Sequence, residues 1–188
     1  TVYETALSLI SLIQSGQGTA LPLQNAINYL ATTQSTDGSW NQDPYSTALA
    51  LRALANVKPN LTVSASDISF SNTMLQTDTA VTITANIRNT GLDGASNILV
   101  RFFSGDPALG GTQIGADQII PSLPVGTATQ VSVSQIFTTT GSKTIYIQVD
   151  PTNQILEISK TDNTASARLW VATAPDLAMF SEDLKPST

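Results

Sequence analysis

The hydrophobic period of this chain changes once, at Pro59, and that change constrains the fold more than any other feature. Before Pro59, apolar residues recur at helical spacing, and after it they alternate with polar residues. The period decides whether a segment buries one side as a helix or as a strand. The sequence therefore predicts a helical segment at 1–57, a β-rich domain at 59–173 and a separate segment at 174–188.

Three apolar stripes predict about three helices before Pro59. The first stripe ends at Gly16 and Gly18, which suit a helix C-terminus. The second follows Pro22, and Asp37-Gly38 then breaks the helical pattern. Asp43-Pro44 supplies an N-cap and a first-turn proline for the third helix.

Seven short runs of alternating β-branched and polar residues predict an antiparallel β-sandwich after Pro59. Turns rich in Gly and Pro separate the runs, which favours a seven-stranded immunoglobulin-like fold. The predicted strands are 61–70, 79–88, 97–103, 112–120, 128–137, 143–149 and 164–171. The predicted fold class is mainly β with an α-helical N-terminal segment.

The segment 174–188 repeats the spacing at which the sandwich begins. The two matching sets are Pro59, Leu61, Asp67, Ile68 and Pro175, Leu177, Asp183, Leu184. We therefore expect this segment to start a further sandwich, which would make an extended rod, or to be a disordered tail. Because Thr1 is not a natural start, we expect the parent protein to extend upstream.

Composition excludes several classes of function. The net charge is −6, and the eight Lys and Arg are scattered singly, which is unlike a nucleic-acid-binding surface. The chain has no Cys and no His, so thiol nucleophiles and His-based catalysis are excluded. No apolar run is long enough to span a membrane. The carboxylates are sparse and lie in turns, so we predict that the chain is not an enzyme.

Two motifs in the β-rich half carry a family resemblance. One reads N-x-G, small residues and V-x-F, and the other reads V-D-P-x-N-x-I-x-E. They are matched by Asn89, Gly91, Ala95, Val100 and Phe102, and by Val149, Asp150, Pro151, Asn153, Ile155 and Glu157. On these motifs 59–171 resembles CARDB, the cell-adhesion-related domains of bacteria and archaea. The resemblance implies a seven-stranded sandwich, a secreted or cell-surface location and no catalytic residue.

This chain departs from the CARDB pattern just before its last strand. The family pattern usually closes there with a Glu and two Asn. This sequence has Lys160, Asp162 and Asn163 instead, so part of the acidic end is altered.

Residues 1–57 resemble α/α-toroid repeats, as found in prenyltransferases and squalene cyclases. The resemblance lies in ETALSLISLI and AINYLATTQSTDGSWNQDPYSTALALRAL, where Gln34, Asp37-Gly38 and Trp40 look like a QW repeat. It implies the end of a helical barrel. The acidic cyclase motif is absent, so the resemblance implies no activity within this chain.

Asp150, Asn153 and Glu157 form the candidate metal site. Asp-Pro-x-Asn is typical of a turn that stabilises itself through side-chain to backbone hydrogen bonds. The other interpretation is a calcium site, because Ca²⁺ prefers several oxygen ligands. Calcium is the only cofactor that the sequence offers, and both interpretations stay open.

Phe102 and Phe103 form the candidate binding site, since strict alternation forces one of them outward. An exposed aromatic suits a carbohydrate or protein ligand. Trp40 and Tyr45 have two interpretations, as packing residues between helices or as the lining of a ligand surface.

The expected function is that of a non-catalytic structural or adhesion module of a secreted or cell-surface prokaryotic protein. Such a module spaces or presents the helical domain upstream, and its partners are other domains of the parent chain. One alternative is a module that binds carbohydrate or a cell-surface protein. Another is a fragment of a toroid enzyme whose active site lies outside this chain.

Overall fold

A computed structural model describes residues 1–15 and 20–173. Its three helices are α1 (Val2–Ser15), α2 (Ala20–Thr32) and α3 (Pro44–Leu54). Asp43 caps α3 as its side chain accepts hydrogen bonds from the backbone N–H groups of Tyr45 and Ser46. The predictions for Gly16 and Gly18, and for the repeat at 174–188, lie outside the described residues.

The helices bury a small apolar core of their own. Its buried residues are Val2, Ala6, Leu9, Ile10, Leu23, Leu30, Trp40, Leu49, Ala50 and Ala53. Trp40 is 1% exposed, and its Nε1–H donates to the carbonyl oxygen of Leu30 at 2.7 Å. A buried indole normally has such a partner. Trp40 therefore packs between the helices and does not line a ligand surface, whereas Tyr45 is exposed and stacks on Tyr3.

The β-rich half contains nine strands within the described ranges, where the sequence predicts seven. They are β1 (Leu61–Thr62), β2 (Ile68–Phe70), β3 (Leu75–Gln76), β4 (Ala80–Asn89), β5 (Ala95–Ser104), β6 (Thr112–Leu123), β7 (Ala128–Ile136), β8 (Gly141–Val149) and β9 (Thr164–Ala172). Six of the predicted strands correspond to β4 through β9. The other predicted strand is split, and β3 is additional.

A 3₁₀ turn at Ala65–Asp67 splits the first predicted strand into β1 and β2. The Asp67 carboxylate accepts hydrogen bonds from the backbone N–H and the hydroxyl of Ser64. Such local side-chain bonds compete with the ladder for backbone groups. The extra strand β3 forms because Leu75 is fully buried against the core and pairs in parallel with β9.

The strands form two sheets. In the first, β4 pairs with β7 along one edge and with β1 and β2 along the other. The second has the order β3-β9-β8-β5-β6 and is antiparallel except for the β3-β9 pair.

One apolar core lies between the two sheets. Its buried residues on β4, β5, β8 and β9 alternate along each strand, as a face of period two requires. They include Val81, Ile83, Ala85, Ile87, Ile98, Val100, Phe102, Ile145, Ile147, Val149, Leu169 and Val171. Burial of each large side chain contributes about 1.5–3 kcal/mol. In the part of the chain that the structure describes, no helix combines the length and apolar character that a bilayer crossing requires.

Candidate functional site: a clamped linker and a buried ionic cluster

The linker between the helices and the sandwich, residues 58–60, is hydrogen-bonded to the loop that connects β4 and β5. The backbone N–H of Leu92 donates to the carbonyl oxygen of Lys58 at 2.8 Å, and that of Thr90 donates to Asn60 at 2.8 Å. Leu92 also packs against the core of the helices. This loop of the sandwich therefore touches both the linker and the helical segment.

The opposite side of the linker is held by the loop that connects β8 and β9. The backbone N–H of Ile158 donates to the carbonyl oxygen of Pro59 at 3.0 Å. The Asn60 side chain accepts from the Ser159 N–H at 3.0 Å and donates to Asp162 Oδ2 at 2.9 Å. The linker thus lies between two loops, and each of its three carbonyl oxygens accepts a backbone hydrogen bond.

The linker contact requires glycine at position 91. A Cβ atom on Gly91 would lie 2.2 Å from the backbone nitrogen of Asn60 and 2.4 Å from the carbonyl carbon of Pro59. Both distances are far below van der Waals contact. Only a residue without a side chain allows the two backbones to approach so closely.

Asn89 completes this side of the linker contact, because its side chain is buried and bonded through both polar atoms. Its Oδ1 accepts from the N–H groups of Asn60 at 3.2 Å and Gly91 at 3.1 Å. Its Nδ2 donates to the carbonyl oxygens of Asp93 and Leu123. The N-x-G motif therefore places an amide and a close backbone approach against the linker.

A buried ionic cluster lies next to the linker and is centred on Lys160. The Lys160 ammonium donates to Asp150 Oδ2 at 2.6 Å and to Glu157 Oε1. The side chains of Asp150 and Glu157 are 2% and 0% exposed. Glu157 also accepts from the Leu61 N–H at 2.6 Å and from Asn163 Nδ2 at 2.9 Å. One carboxylate therefore ties the loop to the first strand of the sandwich.

Burial and hydrogen bonding have opposite effects on the pKa values of Asp150 and Lys160. Burial raises the pKa of Asp150, but the ammonium of Lys160 and the backbone N–H groups of Ile155 and Gln154 outweigh it, so the pKa lies below its ordinary value. Burial lowers the pKa of Lys160, but hydrogen bonds to Asp150 and Glu157 reverse that effect and raise it above its ordinary value. Both groups are therefore held in their charged forms.

The structure brings together two of the three residues predicted to ligate calcium. The Lys160 ammonium lies between Asp150 and Glu157, where a shared cation would sit. Asn153 has a left-handed φ of 52° and donates its backbone N–H to the carbonyl oxygen of Asp150, so it serves the turn. No cluster of three or more His, Cys, Asp or Glu able to hold a metal occurs within 1–15 and 20–173. Calcium binding stays a prediction, and it would require the ammonium to move.

The CARDB family profile matches residues 58–167, which is more than half of the chain. The chain belongs to the CARDB family. The resemblance drawn from the two motifs is therefore confirmed for the sandwich. The helices lie outside the matched residues, and their resemblance to α/α-toroid repeats stays a prediction.

Two solved structures of one CARDB domain share the fold. The CARDB domain of a Pyrococcus furiosus protein, solved in complex with di-metal ions, is 20% identical with a TM-score of 0.54, covering 63% of this chain and 97% of its own. Its solution structure gives 21% identity, a TM-score of 0.52, and coverage of 62% and 98%. Separately, a solution structure of a Geobacter metallireducens protein is 27% identical with a TM-score of 0.49, and the match covers 60% of this chain and 98% of its own. None of the curated proteins compared is a match.

Phe102 and Phe103 face opposite sides of the CARDB sandwich. Phe102 is 0% exposed and packs between the sheets, so it cannot contact a surface ligand, and the prediction that it binds one is wrong. Phe103 lies on the outer face of the second sheet, half-buried, directly opposite Tyr146 on β8 and Gln113 on β6. Phe103 alone remains a candidate binding residue.

Sequence reasoning identified the carboxylates but missed Lys160 and Asn60. The departure from the CARDB pattern at Lys160 was a usable signal, because a cation replaces an acid close to two other acids. Asn60 gave no such signal. Its partners Ser159 and Asp162 are about a hundred positions away, so only the folded chain brings them together.

Proposed function

We propose that this CARDB chain is a non-catalytic structural module that holds the helical segment in a fixed orientation on the sandwich. The observation that carries the proposal is the linker, in which the carbonyl oxygens of Lys58, Pro59 and Asn60 all accept backbone hydrogen bonds from the sandwich. A flexible linker leaves these groups to water. A linker bonded along its whole length transmits orientation from one domain to the next.

The ionic cluster supports the same role. Glu157 binds the backbone of Leu61 immediately after the linker, and Lys160 holds Glu157 to Asp150 at the start of the same loop. The cluster therefore stiffens the loop that contacts Pro59. Its carboxylates are buried and bonded to an ammonium and to amides, which is unlike the open acid-base pair that a hydrolase requires.

We also infer where the parent protein is located and how its domains are arranged. CARDB domains are a cell-adhesion-related family, and we propose a secreted or cell-surface location with other domains of the parent chain as partners. We also propose that 1–57 is the end of an α/α toroid, that 59–173 is an immunoglobulin-like sandwich and that 174–188 begins another. Presentation of the helical domain away from a surface follows from that arrangement.

The metal ions of the Pyrococcus furiosus domain do not carry over at 20% identity, which shows the fold alone. In this chain we propose that Lys160 acts as the internal cation of the cluster. It bonds to both carboxylates and so provides the cross-link that a bound calcium ion would provide.

Distance measurements between spin labels test the proposed rigidity. The chain has no Cys, so Ser8→Cys on α1 and Ser134→Cys on β7 introduce two exposed labelling sites and no others. We expect a single narrow distance distribution by double electron-electron resonance. A broad distribution in the otherwise unchanged chain would contradict the proposal.

A glycine pair provides the matched variants for this measurement. Gly91→Ala places a Cβ within 2.2 Å of the linker backbone, whereas the nearest atom to a Cβ on Gly94 is 3.9 Å away. We expect Gly91→Ala to broaden the distribution and to lower the free energy of unfolding by about 2 kcal/mol. Gly94→Ala, three residues along the same loop, should leave the distances unchanged.

A further inference from the structure

The outer face of the second sheet carries a continuous row of side chains across four strands. The strand registers place Gln113, Phe103, Tyr146 and Ser166 side by side on β6, β5, β8 and β9. The opposite faces of these strands supply the core, so this row faces away from the sandwich. Its centre is an aromatic pair flanked by an amide and a hydroxyl.

Two further rows continue the face along β8 and β9. Thr144 lies opposite Arg168, and Ser142 lies opposite Trp170. Trp170 is 63% exposed, whereas the other tryptophan, Trp40, is 1% exposed. Ser166 and Trp170 are four positions apart on β9, so the indole lies roughly 14 Å along the sheet from the aromatic pair. The face is long enough for a chain-like ligand.

Arg168 adds a positive charge to this face. Arg88 and Arg101 form ion pairs with Asp67 and Asp117. Within 1–15 and 20–173, no carboxylate lies within ion-pair distance of Arg168, which is exposed between Tyr146 and Trp170 on the face. An exposed guanidinium on a face with aromatic side chains favours an anionic ligand.

We propose that this face binds a polysaccharide that carries carboxylate groups. Trp170 and the Phe103–Tyr146 pair offer flat apolar surfaces on which sugar rings stack, and Arg168 pairs with a carboxylate through its planar fork of N–H donors. The proposal adds a ligand to the module and does not depend on the rigidity of the linker.

The polar groups around the aromatic side chains favour a glycan over an acidic peptide. Ser142, Thr144 and Ser166 contribute hydroxyls and Gln113 an amide, which match sugar hydroxyl groups as donors and acceptors. At Phe103 and Tyr146, β5 and β8 are paired on both edges, so a peptide finds no free backbone ladder at the aromatic pair.

Tryptophan fluorescence of the full chain tests the proposal, with oligogalacturonate as the probe. Because Trp40 is buried, a change in emission or in quenching by acrylamide on titration reports Trp170. We expect saturable binding that protects the exposed tryptophan from the quencher. A neutral glucan of equal length should bind about tenfold more weakly, because it lacks the partner of Arg168.

Two charge-matched variants locate the site. Arg168→Gln should weaken oligogalacturonate binding about tenfold, while Arg52→Gln, which removes the same charge from α3, should leave it unchanged. Trp170→Phe should abolish the fluorescence change, and Trp170→Ala should weaken binding measured by calorimetry. Equal losses for Arg168→Gln and Arg52→Gln would overturn the proposal.

Polyglutamate of matched charge separates recognition of sugar from recognition of charge alone. Weaker binding than oligogalacturonate supports the proposal. Equal binding, or absence of binding by both polymers, overturns it.

Discussion

The helical segment and the sandwich bury their apolar side chains to different degrees. The sandwich closes two sheets over one core, and the largest side chains of that core are fully buried. The helices bury one side and leave Tyr3, Leu7, Tyr45 and Leu51 exposed on another. Their sequence up to Val57 has only four charged residues, Glu4, Asp37, Asp43 and Arg52. We therefore expect the sandwich to fold alone and the helices to depend on contact with it through Leu92 and the linker.

The largest expected effect comes from the core of the sandwich. Phe102→Ala removes a fully buried ring and should lower the free energy of unfolding by about 3–5 kcal/mol. If the helices depend on the sandwich, Trp40 should become exposed to solvent in the same unfolding transition as the sandwich. Denaturant unfolding followed by fluorescence in a Trp170→Phe background isolates that signal.

A variant in the core of the helices tests whether the sandwich stays folded without them. Leu9→Ala removes a fully buried side chain from α1 and should cost about 2–5 kcal/mol within the helices. We expect it to expose Trp40 while the sandwich stays folded. If Phe102→Ala unfolded the sandwich and left Trp40 buried, the helices would be independent and the comparison would fail.

A smaller effect than in either core is expected from the ionic cluster. Lys160→Met keeps most of the aliphatic stem and leaves Asp150 and Glu157 buried without a cation, which should cost about 2–3 kcal/mol. This is less than for a fully buried pair, because 35% of the Lys160 side chain is exposed. The shift in the denaturant midpoint of unfolding measures this loss of stability. The control Lys143→Met removes an exposed contact to Thr139 and should change stability little. Equal effects in the two variants would show that the cluster does not stabilise the loop.

The sequence predicted the parts of this structure that follow from local pattern. The change of period at Pro59, the cap at Asp43 and six of the nine strands all depend on neighbouring residues. The split of the first strand was missed because Ser64 and Asp67 form a local turn that competes with the sheet. The cluster was half predicted, since the acids lie in one motif. Their pairing with Lys160 and Leu61 depends on how the loop folds back onto β1.

A smaller effect is expected from pH. Asp150 has a folded pKa below its ordinary value of 3.8, so its ionised form stabilises the fold above that value and the contribution is lost as the pH falls through the folded pKa. Lys160 has a folded pKa above its ordinary value of 10.5, so its contribution is present below that value and is lost as the pH rises through the folded pKa. Stability should therefore fall at both ends of the range. Asp150→Asn should flatten the acid side of a plot of unfolding free energy against pH.

The smallest effect is expected from calcium, and its size separates an ammonium from a metal ion as the cation of the cluster. A metal that binds only the folded state raises the melting temperature. With Lys160 between the two carboxylates, we expect millimolar Ca²⁺ to shift the melting temperature of the unchanged chain little relative to EDTA. Lys160→Gln removes the ammonium and leaves Asp150 and Glu157 together, so Ca²⁺ should stabilise this variant more than the unchanged chain. The double variant Lys160→Gln with Asp150→Asn should lose that gain. A large rise in the unchanged chain, abolished by Asp150→Asn, would instead establish the calcium site and show that the lysine moves aside for the metal.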